Sequence, residues 1–153
     1  YLKDNKVKSV NYLEEKNFLG TAGAIGMLNG KVKSDFFVIN CDTILSINLK
    51  KFYDFHKKNN YKITLAAASK NFSLPYGSCE TKTNGQLKKI TEKPNINYLV
   101  NVGLYLIKSD LISLVQKNKF LGMDAFIKKV QKRKGSVGVF PIEEESWIDV
   151  GQK

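Results

Sequence analysis

Arginine is nearly absent. Arg133 stands alone beside 24 lysines, and 25 basic residues against 14 acidic ones leave a net charge of +11. A surplus of that size suggests a polyanion, but reading bases and gripping phosphates bidentately is the work of arginine. The lysines are scattered among 14 asparagines rather than grouped. That pattern reads as a Lys/Asn-rich composition, and nucleic acid is not an expected partner. A mildly positive field would still collect a phosphorylated substrate. Long hydrophobic runs are also missing. None approaches the roughly 18 residues of a membrane span, so no membrane partner is expected. The opening stretch YLKDNKVKSV carries no signal-peptide pattern.

Cysteine and histidine are scarce too. Cys41 and Cys79 lie 38 residues apart in no metal or redox spacing. Free, buried thiols in a reducing, cytoplasmic compartment are the expectation. His56 falls among Phe52, Tyr53 and Phe55 in a helical pattern, where a lone histidine serves packing more often than catalysis. The 153 residues amount to one domain, of which 42% are hydrophobic. That suffices for a full core.

Strands and helices alternate along the first half. Residues 6–13 can form a short strand. Gly20–Gly30 is small and apolar and reads as a close-packed helix with Thr21 as N-cap. Asp35–Asn40 (DFFVIN) is a nearly continuous apolar run, the signature of a buried parallel strand. Asn48–Asn60 is an amphipathic helix with Leu49, Phe52, Tyr53 and His56 on one face, and Lys62–Ala68 is another buried strand. Next comes a hairpin, Ser78–Thr83 and Gln86–Thr91 about Asn84-Gly85. Tyr98–Ile107 is a long strand, Asp110–Gln116 and Asp124–Lys134 are helices, and Val137–Phe140 and Trp147–Val150 are short strands. The expected class is α/β, a Rossmann-like mixed but mostly parallel sheet with flanking helices and an inserted hairpin.

In such sheets ligands bind beyond the carboxyl ends of the strands. Asp42 follows one apolar strand and Asp149 ends another. A carboxylate there suits a hard cation such as Mg²⁺, with water and phosphate oxygens completing the shell. Either aspartate alone serves equally well as a turn or helix cap. Gly20-Thr21-Ala22-Gly23 would let a ligand approach backbone N–H groups, or would serve tight helix packing. No Gly-Lys-Ser/Thr follows, so it is not a P-loop. Glu92-Lys93-Pro94 closes the hairpin and presents either a phosphate-binding lysine or a solvated loop end.

Taken in order, LGTAGA (Leu19–Ala24), FFVINCDTILS (Phe36–Ser46), Tyr76-Gly77, Glu92–Pro94, VNVGLYL (Val100–Leu106) and WIDVGQ (Trp147–Gln152) resemble the sugar-phosphate nucleotidyltransferase family. The set as a whole resembles its mannose-1-phosphate guanylyltransferase-like members, and the ending resembles guanylyltransferase-like members that make GDP-activated amino or heptose sugars. The resemblance implies a GT-A-like fold and a Mg²⁺-dependent transfer of a nucleoside monophosphate from an NTP to a sugar 1-phosphate. It implies Asp42 and Asp149 as metal ligands, with Asp42 and Lys93 catalytic. Glu15, Leu19, Gly20, Thr21 and Ala22, with Asp42, would meet the nucleotide. Tyr76, Gly77, Glu92, Lys93 and Asn101 would meet the sugar phosphate. Glu15 takes the place where relatives carry a base-pairing Gln; a carboxylate accepts from guanine N1–H and N2–H₂ together, so GTP is favoured. A thymidylyl- or uridylyltransferase, or a regulatory homologue without catalysis, are the alternatives.

The family's Gly-rich, Arg-bearing loop has no counterpart in these residues. The chain is therefore expected to be the central and C-terminal part of a catalytic domain, without turnover by itself. Its uncovered sheet would be open to pairing with a second copy, a homo-oligomer.

Overall fold

The computed structural model describes residues 10–152. Its centre is a four-stranded sheet. In chain order the elements are α1 (Gly20–Gly23), β1 (Phe36–Ile39), β2 (Thr43–Leu45), α2 (Leu49–Lys58), β3 (Ile63–Ser73), β4 (Ser78–Thr81), β5 (Leu87–Thr91), β6 (Asn95–Ile107), α3 (Met123–Lys132), β7 (Val137–Ile142) and β8 (Trp147–Asp149). The main sheet runs β1-β6-β3-β7; β2 pairs with β8, and β4 with β5.

β6 explains why the chain's most apolar stretch is a strand. Tyr105 and Ile107 enter a core with Phe126 and Val130 of α3, while Leu104 and Leu106 enter a second core with Phe52 of α2. Both faces are covered, so both sets of alternating side chains must be apolar. A helix–sheet–helix sandwich follows.

The α/β class and the mixed sheet with flanking helices stand as expected, three of its four strands sharing one direction; the pairing of DFFVIN differs. β1, β3 and β7 point the same way, yet β6 runs against them between β1 and β3, and only β3–β7 is a parallel pair. The β4–β5 hairpin lies between β3 and β6 in sequence and returns the chain in the opposite direction. Among the described residues β1 is thus an edge strand with an antiparallel partner, not a buried parallel one. Phe37 and Ile39 are 41% and 52% exposed, beside an apolar cavity of about 260 Å³ that Leu49 also lines.

Other differences have local causes. The expected strand at 6–13 falls partly outside the described residues, and its described part is not a strand. Gly20–Gly30 forms one α turn and then a 3-10 segment, Ala24–Leu28. Each interior glycine weakens an α-helix by about 0.5–1 kcal/mol, and here glycine serves close approach. A Cβ on Gly23 would stand 2.8 Å from Lys119 O. Asp110–Gln116 is likewise a 3-10 segment, Ser109–Leu114. The hairpin closes through a Lys82–Gly85 turn with Gly85 at φ 81°, which shortens both strands. Cys41 and Cys79 are free but exposed, because one sits in the turn after β1 and the other on the hairpin.

His56 packs, as expected. It is fully buried, with Nδ1 2.7 Å from Thr64 Oγ1. Nε2 has no hydrogen-bond partner among the described residues and lies 3.8 Å from Asp35 Oδ2. Burial lowers its pKa from the ordinary value; Asp35 opposes this, and Lys108 and Lys57 reinforce it. The folded state therefore holds imidazole neutral while the unfolded chain takes up a proton near pH ~6.5. The stability this supplies is intact above that pH and is lost as pH falls from there towards the folded value. Thermal melts across about pH 7.5 to 5.5 should show a declining Tm that flattens in His56→Asn. An equal decline in the variant would refute the assignment to His56.

Candidate functional site

The site begins where β1 ends. After Ile39 the chain turns through Asn40–Asp42 into β2, whose Thr43 is paired with Asp149 of β8. This pairing, invisible in the strand pattern, brings together two aspartates that are far apart in sequence. Val150 N donates to Asp42 O at 2.9 Å, and Gly151 N to Asp149 Oδ1 at 2.9 Å. A Cβ on Gly151 would stand 3.0 Å from Asp42 Oδ2 and 3.3 Å from Asp149 Oδ1. The two carboxylates thus face one point and are separated by no more than the sum of those distances. No ion pair holds either one among the described residues. No third His, Cys, Asp or Glu joins them there. One exposed and one half-buried carboxylate about a common point form a donor set that would fit Mg²⁺, with the remaining corners left to water and phosphate.

The turn is tied to a bulge in β6. Leu65 pairs with Tyr105 and Ala67 with Asn101, so Ala66 faces three residues, Val102 to Leu104. Because the surplus is two residues, side-chain alternation survives and both cores keep their residues. At the bulge Gly103 has φ 78°, and a Cβ there would come 2.5 Å from Asn40 Nδ2. Asn40 N donates to Gly103 O at 3.0 Å, and Thr43 Oγ1 to Val102 O at 3.2 Å. Asn101, exposed beside this turn, accepts from Gly103 N at 3.1 Å and donates to Tyr105 OH at 2.6 Å. Asn40, Thr43, Gly103 and Tyr105 were not singled out from sequence. A glycine inside an apolar strand was the available signal for the bulge.

A second group forms on the ribbon that β3 and β6 extend beyond the sheet. Ser78 pairs with Thr91, which sets Gly77 beside Glu92. A Cβ on Gly77 would lie 2.9 Å from Glu92 Oε2. Lys93 is exposed and has φ 44°. A lysine held left-handed is uncommon and costs about 1–2 kcal/mol. Tyr76 is 72% exposed.

The third group surrounds α1. Glu15 Oε2 accepts from Leu19 N at 2.9 Å. Leu121 N donates to Leu19 O, and Ala22 N to Leu121 O. Thr21 does not cap its own helix: its Oγ1 accepts from Met123 N at 2.8 Å, at the start of α3. The side chains of Leu19 and Ala22 are core. The expected row of free N–H groups is therefore partly consumed by packing against residues 119–123, and Gly20 is itself half-buried against Leu121 and Phe120. Among the described residues no hydrogen bond joins this group to the aspartate pair.

Gly103→Ala combines a left-handed backbone with a collision and should cost more than about 3 kcal/mol in urea unfolding. Gly85 has a similar φ, 81°, with nothing within 4 Å. Gly85→Ala should then cost only about 1–2 kcal/mol, and equal costs would refute the role of the Asn40 contact.

A family model described as nucleotidyl transferase matches residues 1–153. Mannose-1-phosphate guanyltransferase 2 of Candida glabrata is 30% identical over 152 residues, covering 94% of this chain and 41% of that protein. The chain thus spans about two fifths of the length of the curated relatives it matches. The crystal structure of HddC from Yersinia pseudotuberculosis superposes with a TM-score of 0.68 at 27% identity, over 98% of this chain and 65% of that one. The same protein complexed with GMP-PN gives 0.66 at 25% identity, with the same coverage.

Proposed function

The chain belongs to the nucleotidyl transferase family, and from that premise we propose that its parent protein transfers GMP from GTP to a sugar 1-phosphate, releasing pyrophosphate. The observation that carries this reading is the meeting of Asp42 and Asp149 about Gly151. Mg²⁺, when bound there, would offset charge on the reacting phosphates and orient them. The chain's own residues position the acceptor. Gly77 leaves room beside the Glu92 carboxylate for sugar hydroxyls to donate, and Asn101 supplies an amide. Lys93, presented by its left-handed backbone, neutralises the sugar phosphate. One oxygen of that phosphate then forms a bond to the α-phosphorus of the nucleotide as the bond from α-phosphorus to the pyrophosphate oxygen breaks. No covalent enzyme intermediate is needed.

The preference for guanine is supported by Glu15 and by the relatives, one a named guanyltransferase and one complexed with GMP-PN. The Glu15–Leu19 contact favours a second reading, in which Glu15 only shapes the loop and the base is thymine or uracil. A carboxylate has lone pairs beyond the one Leu19 N–H uses, so guanine recognition remains compatible with it.

Mn²⁺ is a convenient paramagnetic probe of the metal site. It should broaden the amide signals of Asp42 and Gly151, and Asp149→Asn should weaken its binding by about tenfold or more. Broadening elsewhere, or none, would overturn the metal role. For the base, Glu15→Gln should lower GTP affinity relative to dTTP by about tenfold; an unchanged ratio supports the loop-shaping reading instead.

A further inference from the structure

The contact between Asn101 and Tyr105 needs an explanation that packing does not provide. Four residues of regular strand span about 13 Å, yet these two side chains meet at 2.6 Å. The bulge contracts the backbone between them, and the hydrogen bond closes over it. The amide orientation follows from its neighbours. Gly103 N–H can only donate, so Asn101 Oδ1 faces it and Nδ2 faces the phenol oxygen.

Tyr105 is 4% exposed, anchored in the core with Phe126 and Val130, whereas Asn101 is exposed. A fixed group thus holds a solvent-facing one. Tyr105 accepts this bond, and its own O–H has no hydrogen-bond acceptor among the described residues. Burying such a hydroxyl adds little stability; replacing it by hydrogen is close to neutral. Burial raises the phenol pKa from its ordinary value, so the group stays protonated through the neutral range.

We propose that Tyr105 is a positioning residue: its buried hydroxyl locks the Asn101 amide across the β6 bulge, so that one Nδ2 hydrogen and one Oδ1 lone pair point outward in a fixed pair for a sugar hydroxyl. This rests on the reading of Asn101 as a sugar contact. A fixed donor–acceptor pair matches a hydroxyl, which donates and accepts at once. Without Tyr105 the exposed amide would trade its partner for water and rotate, so that each binding event would have to order it again. The same bulge carries Gly103 O and Val102 O, which hold Asn40 and Thr43 on either side of Asp42. Tyr105 therefore sets the sugar-facing amide in register with the aspartate pair.

The test compares the 153-residue chain with Tyr105→Phe, Asn101→Ala and the double variant, by NMR on ¹⁵N-labelled protein. Tyr105→Phe should melt within about 5 °C of the unaltered chain. The Asn101 side-chain amide protons should exchange about tenfold faster in it, as expected for one lost hydrogen bond. Mannose 1-phosphate with Mg²⁺ is the ligand probe. Its binding should weaken about tenfold on Tyr105→Phe, with no further weakening when Asn101 is already alanine. An Asn101 amide signal unchanged by Tyr105→Phe overturns the positioning role whatever the ligand does. Equal weakening in both backgrounds also overturns it, because Tyr105 would then act without Asn101. If the unaltered chain does not bind mannose 1-phosphate, that sugar is excluded, and the amide signal alone decides the positioning role.

Discussion

The close approach of Asn40 to Gly103 is the constraint on which the rest of the site depends. No side chain fits between the end of β1 and the bulge of β6, and the left-handed backbone at Gly103 lets the two strands meet there. From that contact the chain turns at Asp42 and enters β2, and β2 recruits β8 with Asp149. Remove the close approach and the turn has nothing to rest on. The hydrogen bonds from Asn40 N and Thr43 Oγ1 to the bulge carbonyls finish the tie. They also satisfy carbonyl groups that a bulge takes out of the ladder.

The bulge also reconciles two demands on β6. The strand must bury side chains on both faces, Leu104 and Leu106 on one and Tyr105 and Ile107 on the other. It must also bend towards a polar site. A surplus of one residue would have exchanged the faces and turned core side chains outward. A surplus of two keeps the alternation and places the irregular backbone beside the Asn40–Thr43 turn. Beyond the bulge the same strand runs on with β3 as a ribbon, and the hairpin carrying Gly77, Glu92 and Lys93 hangs from it. The groups proposed to meet the sugar and the metal thus depend on one continuous strand.

Family membership and the aspartate pair support each other without resting on the same facts. The family follows from a family model that matches residues 1–153; the pair follows from strand pairing and backbone hydrogen bonds. The α1 region shows the limit of motif reading. LGTAGA allowed either a ligand at a helix N-terminus or tight packing, and most of its small residues serve contact with residues 119–123, while Thr21 caps a distant helix. Smallness by itself does not distinguish room for a ligand from room for a neighbouring backbone.

Local patterns determined much of this protein. Period-3.6 apolar spacing placed α2 and α3 to within a few residues. Apolar runs placed β1, β3 and β6, and Asn84-Gly85 placed the hairpin, because each signal lies within a few residues of the structure it specifies. The motif order marked Asp42, Asp149, Glu92, Lys93 and Asn101 as candidates. Strand direction and strand neighbours were decided only by the tertiary structure. DFFVIN reads the same whether its partner is parallel or antiparallel, since apolar content reports burial and not orientation; its place at the sheet's edge depends on where β6 returns. The same holds for the site. Asp42 and Asp149 are 107 residues apart in the chain, and nothing local to either says that β2 and β8 will pair. Only the folded chain, with Gly103 making room for Asn40, sets them around one point.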